Sequence, residues 1–389
     1  MKLNEHIQKG ISICALLLLL NGCGGDQPEP QIEEEVIKTK ADRIDSLLKV
    51  LHSKGRFNAT VLVAEGSEII YQNGFGYANF DTKDTLSLKS CFRLASVSKQ
   101  FTAMCVMILE EREKLSYDDD ITKYLPELSF YEGVTVRHLL WHTGGLPDYM
   151  QLFEDHWDTT KLAFKEDILS LMAEHQPEID FKPGEKYEYS NTGYSLLAGI
   201  VQRASGVHFD DFITENLFMK INMSASLVCK GADDEPIPNR VFGYYYDESS
   251  KSMANADYHY LNGVIGDGGL YSTIGDLFKW DQALYTEQLV SKATLDLAFT
   301  GFKLNDADTL GDYGFGWGLY KNDSTNVVSH SGSWVGFSTY IQRDIGNKTT
   351  IIVLNNTYDR VYHIVKMIES ILKEEPIKMR DKLKTFELY

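Results

Sequence analysis

The chain has 389 residues, 43% of them hydrophobic, with 56 acidic against 38 basic side chains and a formal net charge of −18. That length supports a sizeable core in one large domain or two interlocked ones, and an acidic balance without a basic patch argues against nucleic acid as a partner. The ten histidines include no His-Glu-x-x-His and no Cys/His ligand spacing, so no metal and no other cofactor is expected.

In chain order, Lys2 and Lys9 flank an apolar run, Ile11 to Leu20, that is too short to span a bilayer as a stable helix. Residues 1–22 read as a secretory signal. The run closes on Leu20-Asn21-Gly22-Cys23, which resembles a bacterial lipoprotein box, with Cys23 as the lipidated first residue of the mature chain. Residues 23–40 are rich in Pro, Glu and Gln, cannot bury a core, and read as an acidic flexible tether. The expected location is the bacterial cell envelope, exported to the periplasmic or surface side and held to a membrane by lipid on Cys23. With Cys23 so used, Cys91, Cys105 and Cys229 remain. An odd number implies no disulfide framework, and Cys91 and Cys105 are expected to pack as small apolar side chains.

The folded domain is expected over residues 41–375. A helix at 41–53 carries Ile44, Leu47, Leu48 and Leu51 at i, i+3, i+4 and i+7. Ala59–Ala64 and Ser67–Phe75 alternate in polarity about Glu65-Gly66 and read as an antiparallel hairpin. From about 96 to 300 the pattern is mostly helices and loops. Strands return at Tyr313–Tyr320, Asn326–His330, Phe337–Arg343 and Thr349–Leu354, and a last helix runs from about Asp359 to Leu372. Residues 376–389 form a polar tail. Strands at both ends with helices between predict an α+β fold: one antiparallel sheet built from both chain ends and flanked by helices, with a mostly helical insertion at roughly 100–300.

The chemistry concentrates at Ser96-Val97-Ser98-Lys99, where an apolar helix containing Phe101, Met104, Cys105, Ile108 and Leu109 begins. Serine and lysine at i and i+3 share one helix face. A serine hydroxyl is a poor nucleophile without a base held against it, and the helix N-terminus favours developing negative charge. Ser46-Leu47-Leu48-Lys49 has the same spacing, but it lies on the amphipathic helix at 41–53 and has nothing to catalyse. Tyr-x-Asn occurs five times. Only Tyr189-Ser190-Asn191 follows a Pro183-Gly184 turn and leads into an apolar helix. His-x-Gly occurs at His142-Thr143-Gly144, before the tyrosine motif, and at His330-Ser331-Gly332, after it and next to Ser333-Trp334.

Taken in order, Ser96-x-x-Lys99, Tyr189-x-Asn191 and His330-x-Gly332 resemble the motif set of the serine β-lactamase and penicillin-binding-protein superfamily, in the branch of class C β-lactamases, D-alanyl-D-alanine carboxypeptidases and related esterases. The resemblance spans roughly residues 40–375 and implies the same fold, with the site in the cleft between sheet and insertion. It implies acyl transfer through Ser96, with Lys99 and Tyr189 moving protons and either one as the base. Asn191, His330, Ser331 and Gly332 would support or bind substrate, and the backbone N–H groups of Ser96 and Ser333 would form the oxyanion site. The expected partner is a small-molecule or short-peptide acyl substrate. Histidine rather than lysine at 330 leans toward an esterase or a peptidase acting on D-amino-acid substrates. A class C-like β-lactamase and a protein that binds penicillin or peptidoglycan stems without turnover are the alternatives. The segments Thr135–Leu146, with Trp141 and His142, and Gly268–Thr273 read as scaffold and turns.

Overall fold

A computed structural model describes residues 39–55, 57–229, 236–322, 325–359 and 361–375. The signal, Cys23, nearly all of the tether and the polar tail lie outside the described residues.

The elements that position the site are six strands and five helices: α1 (Lys40–Ser53), β1 (Ala59–Glu65), β2 (Glu68–Phe75), α2 (Lys99–Glu111), α3 (Asn191–Ser205), α4 (Ile274–Ala283), β3 (Gly318–Asn322), β4 (Thr325–Trp334), β5 (Phe337–Asp344), β6 (Thr349–Asn355) and α5 (Tyr362–Leu372). The strands form one antiparallel sheet in the order β3-β4-β5-β6-β1-β2. The first strand after α1 thus pairs with the last strand among the described residues, Val61 opposite Val353 and Leu62 opposite Ile352. The expected α+β architecture, a sheet made by both chain ends, is present.

Both faces of the sheet are covered, which explains why β1 and β6 are almost continuously apolar. Side chains alternate across a strand. Val61, Val63, Ile351 and Val353 face α1 and α5 through Ile44, Leu48, Val365 and Ile368. Leu62, Ile341, Ile352 and Leu354 face the large core shared with α2 and α4. Each such fully buried aliphatic side chain is worth about 1.5–3 kcal/mol relative to exposure. Helix α1 starts where it does because Thr39 and Asp42 form a reciprocal capping box. Cys91 and Cys105 are buried and unpaired as thiols.

Three expectations change. Tyr313–Tyr320 is not a single strand. The strand begins at Gly318, because Gly316 takes φ +78° and a Cβ there would lie 2.8 Å from the Gln100 Cα, so this segment turns tightly against the start of α2. The strand expected to end at His330 continues to Trp334. The region between the sheet halves is mostly helical but also holds a small sheet of Phe92–Arg93, Leu270–Ser272 and Leu227–Val228, and a hairpin at Tyr244–Asp247 and Ser252–Asn255.

Candidate active site

Ser96 does not lie in α2 itself. Ala95–Ser98 form a 3-10 turn, and Lys99 is the first residue of the α-helix. Three residues per turn eclipse i and i+3, so the lysine amine stands against the serine hydroxyl, with Nζ 3.1 Å from Oγ. Ala95 enters the turn at φ +50°, a conformation that costs a non-glycine residue of order 1–3 kcal/mol and persists where its surroundings hold it. Strands β4 and β5 do the holding. Thr339 on β5 donates to the Leu94 carbonyl at 2.7 Å. A Cβ on Gly332 would lie 2.2 Å from that same oxygen, so only glycine lets β4 approach so closely.

Lys99 is completely buried. Besides Ser96, its amine donates to the Asn191 Oδ1 at 2.8 Å and to the Asp267 main-chain oxygen at 2.9 Å. All three donor directions of an ammonium are therefore taken. Burial lowers its pKa to about 8, against an opposing pull from the Asp267 carboxylate. Asn191 is placed by the first turn of α3, where Ser190 caps the helix by accepting from the Gly193 N–H at 3.1 Å. Tyr189, just before that cap, lies over the lysine, its ring centre 4.9 Å from Nζ. The residue as a whole is 41% exposed, while its hydroxyl end is desolvated and reaches Ser96. Desolvation raises the phenol above the ordinary tyrosine range and the Ser96 hydrogen bond works the other way.

His330, expected to bind or support substrate, turns both ring nitrogens into the protein. Its Nδ1 lies 2.6 Å from the Ser331 carbonyl and its Nε2 2.9 Å from the Tyr313 hydroxyl. A carbonyl only accepts, so Nδ1 carries the proton and Nε2 receives the one from Tyr313. Both nitrogens are spent inside the protein. Burial, and then the Lys99 charge, lowers the His330 pKa to about 3, so the third motif supplies no cation at neutral pH. Ser331 is exposed, and its carbonyl serves this histidine.

Val335 and Gly336, at φ +40° and +89°, make a two-residue hairpin closed by the pair Trp334 and Phe337. Positive φ at both positions is the type I′ pattern. In such a hairpin the next pair, Ser333 with Ser338, is non-hydrogen-bonded. The Ser333 N–H therefore points away from β5, toward the edge of β4 that packs against the Ser96 turn.

Ser96, Asn191 and Ser333 open together on a cavity of about 270 Å³ that also presents Arg93, Tyr149, Leu261, Asp267 and Trp334. Lys99, Tyr189, His330, Ser331 and Gly332 are not in its wall. Tyr189 instead lines a smaller pocket of about 100 Å³ with Asp148, Asp180 and Glu188, so the Ser96–Tyr189 contact sits between two recesses. Asp267, Tyr149 and Arg93 are new relative to the motif reading. The one signal in the sequence was the charge at 267 immediately before Gly268-Gly269. His142, read as scaffold, packs at a tilt against Tyr189 with ring centroids 4.4 Å apart and accepts the Ser190 N–H at 3.0 Å. It positions the tyrosine motif. Trp141 packs on Phe315, away from the cavity. Among the described residues no group of three or more His, Cys, Asp or Glu could hold a metal ion.

A serine hydroxyl held by a buried lysine amine and shared with a tyrosine, on this sheet and insertion, defines the class of serine acyl-hydrolases. Comparison with known proteins narrows it. The family model described as Beta-lactamase matches residues 38–366. The chain is 40% identical over 351 residues to penicillin-binding protein 4* of Bacillus subtilis, covering 87% of this chain and 77% of that protein. It superposes with a TM-score of 0.75 on the octameric penicillin-binding protein homologue from Pyrococcus abyssi, at 26% identity and covering 87% of this chain and 78% of that one. The TM-score is 0.73 on a penicillin-binding protein from Bacillus halodurans, at 27% identity and 83% and 98% coverage. The chain belongs to the beta-lactamase family.

Proposed function

We propose that the protein hydrolyses esters or D-amino-acid-containing peptides through an acyl ester on Ser96. The observation that carries this reading is the Lys99 amine 3.1 Å from the Ser96 hydroxyl, locked there by Asn191 and the Asp267 carbonyl. Ser96 Oγ attacks the substrate carbonyl and its proton passes to Nζ. A pKa of about 8 leaves an appreciable neutral fraction of Lys99 at neutral pH. The raised phenol favours Tyr189 as the acid that protonates the leaving group rather than as the base. The oxyanion would lie between the Ser96 and Ser333 N–H groups, where one donor is typically worth about 2.7–4 kcal/mol. Water then attacks the acyl ester and the same groups act in reverse. This assignment places the acyl half in the larger cavity with Asn191 and Ser333, and the leaving group on the Tyr189 side.

A class C-like β-lactamase is less favoured, because neutral His330 cannot hold a substrate carboxylate as a lysine would. A second reading, acylation by penicillin without turnover, is supported by the name of the 40% identical Bacillus subtilis protein. Stopped-flow assays of a nitrophenyl ester separate the two: sustained turnover supports a hydrolase, and one stoichiometric burst supports a binding protein. Peptide mapping after a fluorophosphonate or penicillin probe should put the adduct on Ser96.

We also propose that lipid on Cys23 holds the mature protein to a membrane, supported by the signal and box in the sequence. Two or three acyl chains suffice for stable anchoring where one is marginal. Cys23→Ser should move the protein to the soluble fraction; identical fractionation of the two forms would refute the anchor.

A further inference from the structure

The larger cavity contains a charge that the acyl-transfer chemistry leaves unused. Asp267 is buried and lines the cavity wall. The groups on its carboxylate are neutral donors: the Tyr149 hydroxyl at 2.9 Å, the Asp267 N–H and that of Gly268. Lys99 touches this residue only at the main-chain oxygen, since its remaining hydrogen bonds go to Ser96 and Asn191. Among the described residues no ion pair includes the Asp267 carboxylate. Lys99 attracts this carboxylate through space, but the carboxylate's hydrogen bonds come only from neutral groups, so its burial remains costly, and a ligand that brings a cation recovers part of that cost.

Position decides where the cation must sit on the ligand. From Ser96 Oγ to the Asp267 main chain there are two hydrogen bonds in sequence, through the Lys99 amine. Asp267 therefore lines the cavity only one lysine amine away from the attacking hydroxyl. Tyr149 lines the same wall, and an aromatic ring beside a carboxylate suits an ammonium group. The cavity, about 270 Å³, is smaller than the roughly 300–1,000 Å³ of sites for drug-sized ligands, which restricts the acyl half to something the size of one amino acid. The other charge on the wall is Arg93, which already lies over the Tyr271 ring at 5.1 Å and donates to its hydroxyl at 3.3 Å.

We propose that Asp267, with Tyr149 beside it, receives a free ammonium group on the acyl half of the substrate, so that the preferred substrates are aminoacyl esters and amides with an unblocked amine. This rests on the reading of Ser96 as nucleophile and adds the substrate class to it.

The test compares kcat/KM for the 4-nitroanilides of D-alanine, propionic acid and succinic acid, which present an ammonium, a neutral and a carboxylate acyl group. The wild type should prefer the D-alanyl substrate over the propionyl one, and Asp267→Asn should reduce that ratio by about tenfold or more. Taking the ratio removes both the intrinsic reactivity of each substrate and any common effect of Asp267 on Lys99. An unchanged ratio, or a wild-type preference for the succinyl substrate, overturns the proposal; the latter would assign the wall to Arg93. Should Asp267→Asn fail to fold, inhibition of the wild type decides. D-alaninol must then inhibit more strongly than N-acetyl-D-alaninol, and equal or reversed potency overturns the proposal. Propionyl turnover that survives Ser96→Ala would instead sink the nucleophile assignment itself, whatever the amine preference.

Discussion

The chain carries two copies of the same four-residue pattern, and the contrast between them shows what makes one of them chemical. Ser46 and Lys49 sit on the outer face of α1, both exposed, and the Lys49 amine pairs with Asp45 at 2.7 Å while remaining in water. Ser96 and Lys99 sit at the junction of a 3-10 turn and α2, with the lysine sealed beneath α3 and the Asp267 loop. Spacing is identical. What differs is desolvation of the amine, which lowers the pKa of Lys99 to about 8, and the eclipsed geometry of the tighter turn. An i, i+3 pair is therefore only a coordinate, and its environment decides whether it can transfer a proton.

The largest test of that contrast is removal of the two hydroxyls. Ser96→Ala should lower kcat on a nitrophenyl ester by at least about a thousandfold, the scale seen when a covalent nucleophile is lost, while Ser46→Ala leaves it unchanged. Next come the proton carriers. Lys99→Ala and Tyr189→Phe should each cost about 10²–10⁴ in kcat/KM, and the double mutant should be little worse than the poorer single, because both act on one hydroxyl. Losses that multiply would break the shared-proton mechanism.

The ion pairs extend the contrast to stability. Arg343 and Asp281 tie β5 to α4 with both side chains fully buried and Nε 2.5 Å from Oδ1. Asp281→Ala should destabilise by about 3–5 kcal/mol in denaturant melts, since it strands a buried charge. Lys49→Ala, on the exposed pair, should cost no more than about 1 kcal/mol.

A smaller effect separates the ionisations. If neutral Lys99 is the base, kcat/KM should rise with pH up to an apparent pKa near 8 and then level off. No limb should appear between pH 5 and 7 from the buried histidines, because burial holds His330 near 3 and His142 well below the ordinary imidazole range. A histidine-like limb that disappears in His330→Gln would contradict this electrostatic picture.

Much of the fold was readable because its signals are local. The continuous apolar run Ile351–Leu354 and the helical stripe of Ile44, Leu47, Leu48 and Leu51 report which residues are buried, whatever buries them. The break at Gly314–Gly316 was not readable as a turn, because its cause is the close approach of Gly316 to Gln100, more than 200 residues away in the chain. The candidate site was readable in its motif residues, and the structure brings Ser96, Lys99, Tyr189 and Asn191 together around one hydroxyl and one amine. The motif left open whether His330 binds or supports substrate, because a motif records order and not direction. Its ring in fact turns to Tyr313 and to its neighbour's carbonyl.

The amino-acid sequence by itself determined the periodicities that make a sheet from both chain ends, the order of the three motifs, and the i, i+3 placement of serine and lysine, since each depends on neighbours within a turn or a strand. Only the tertiary structure decided which residues share the cavity, how far Lys99 is stripped of water, and that Asp267 lines the cavity beside Ser96. Proton affinity and complementarity arise from desolvation and from partners that converge from distant positions, such as Asn191 and Asp267 on Lys99. No local pattern records those approaches.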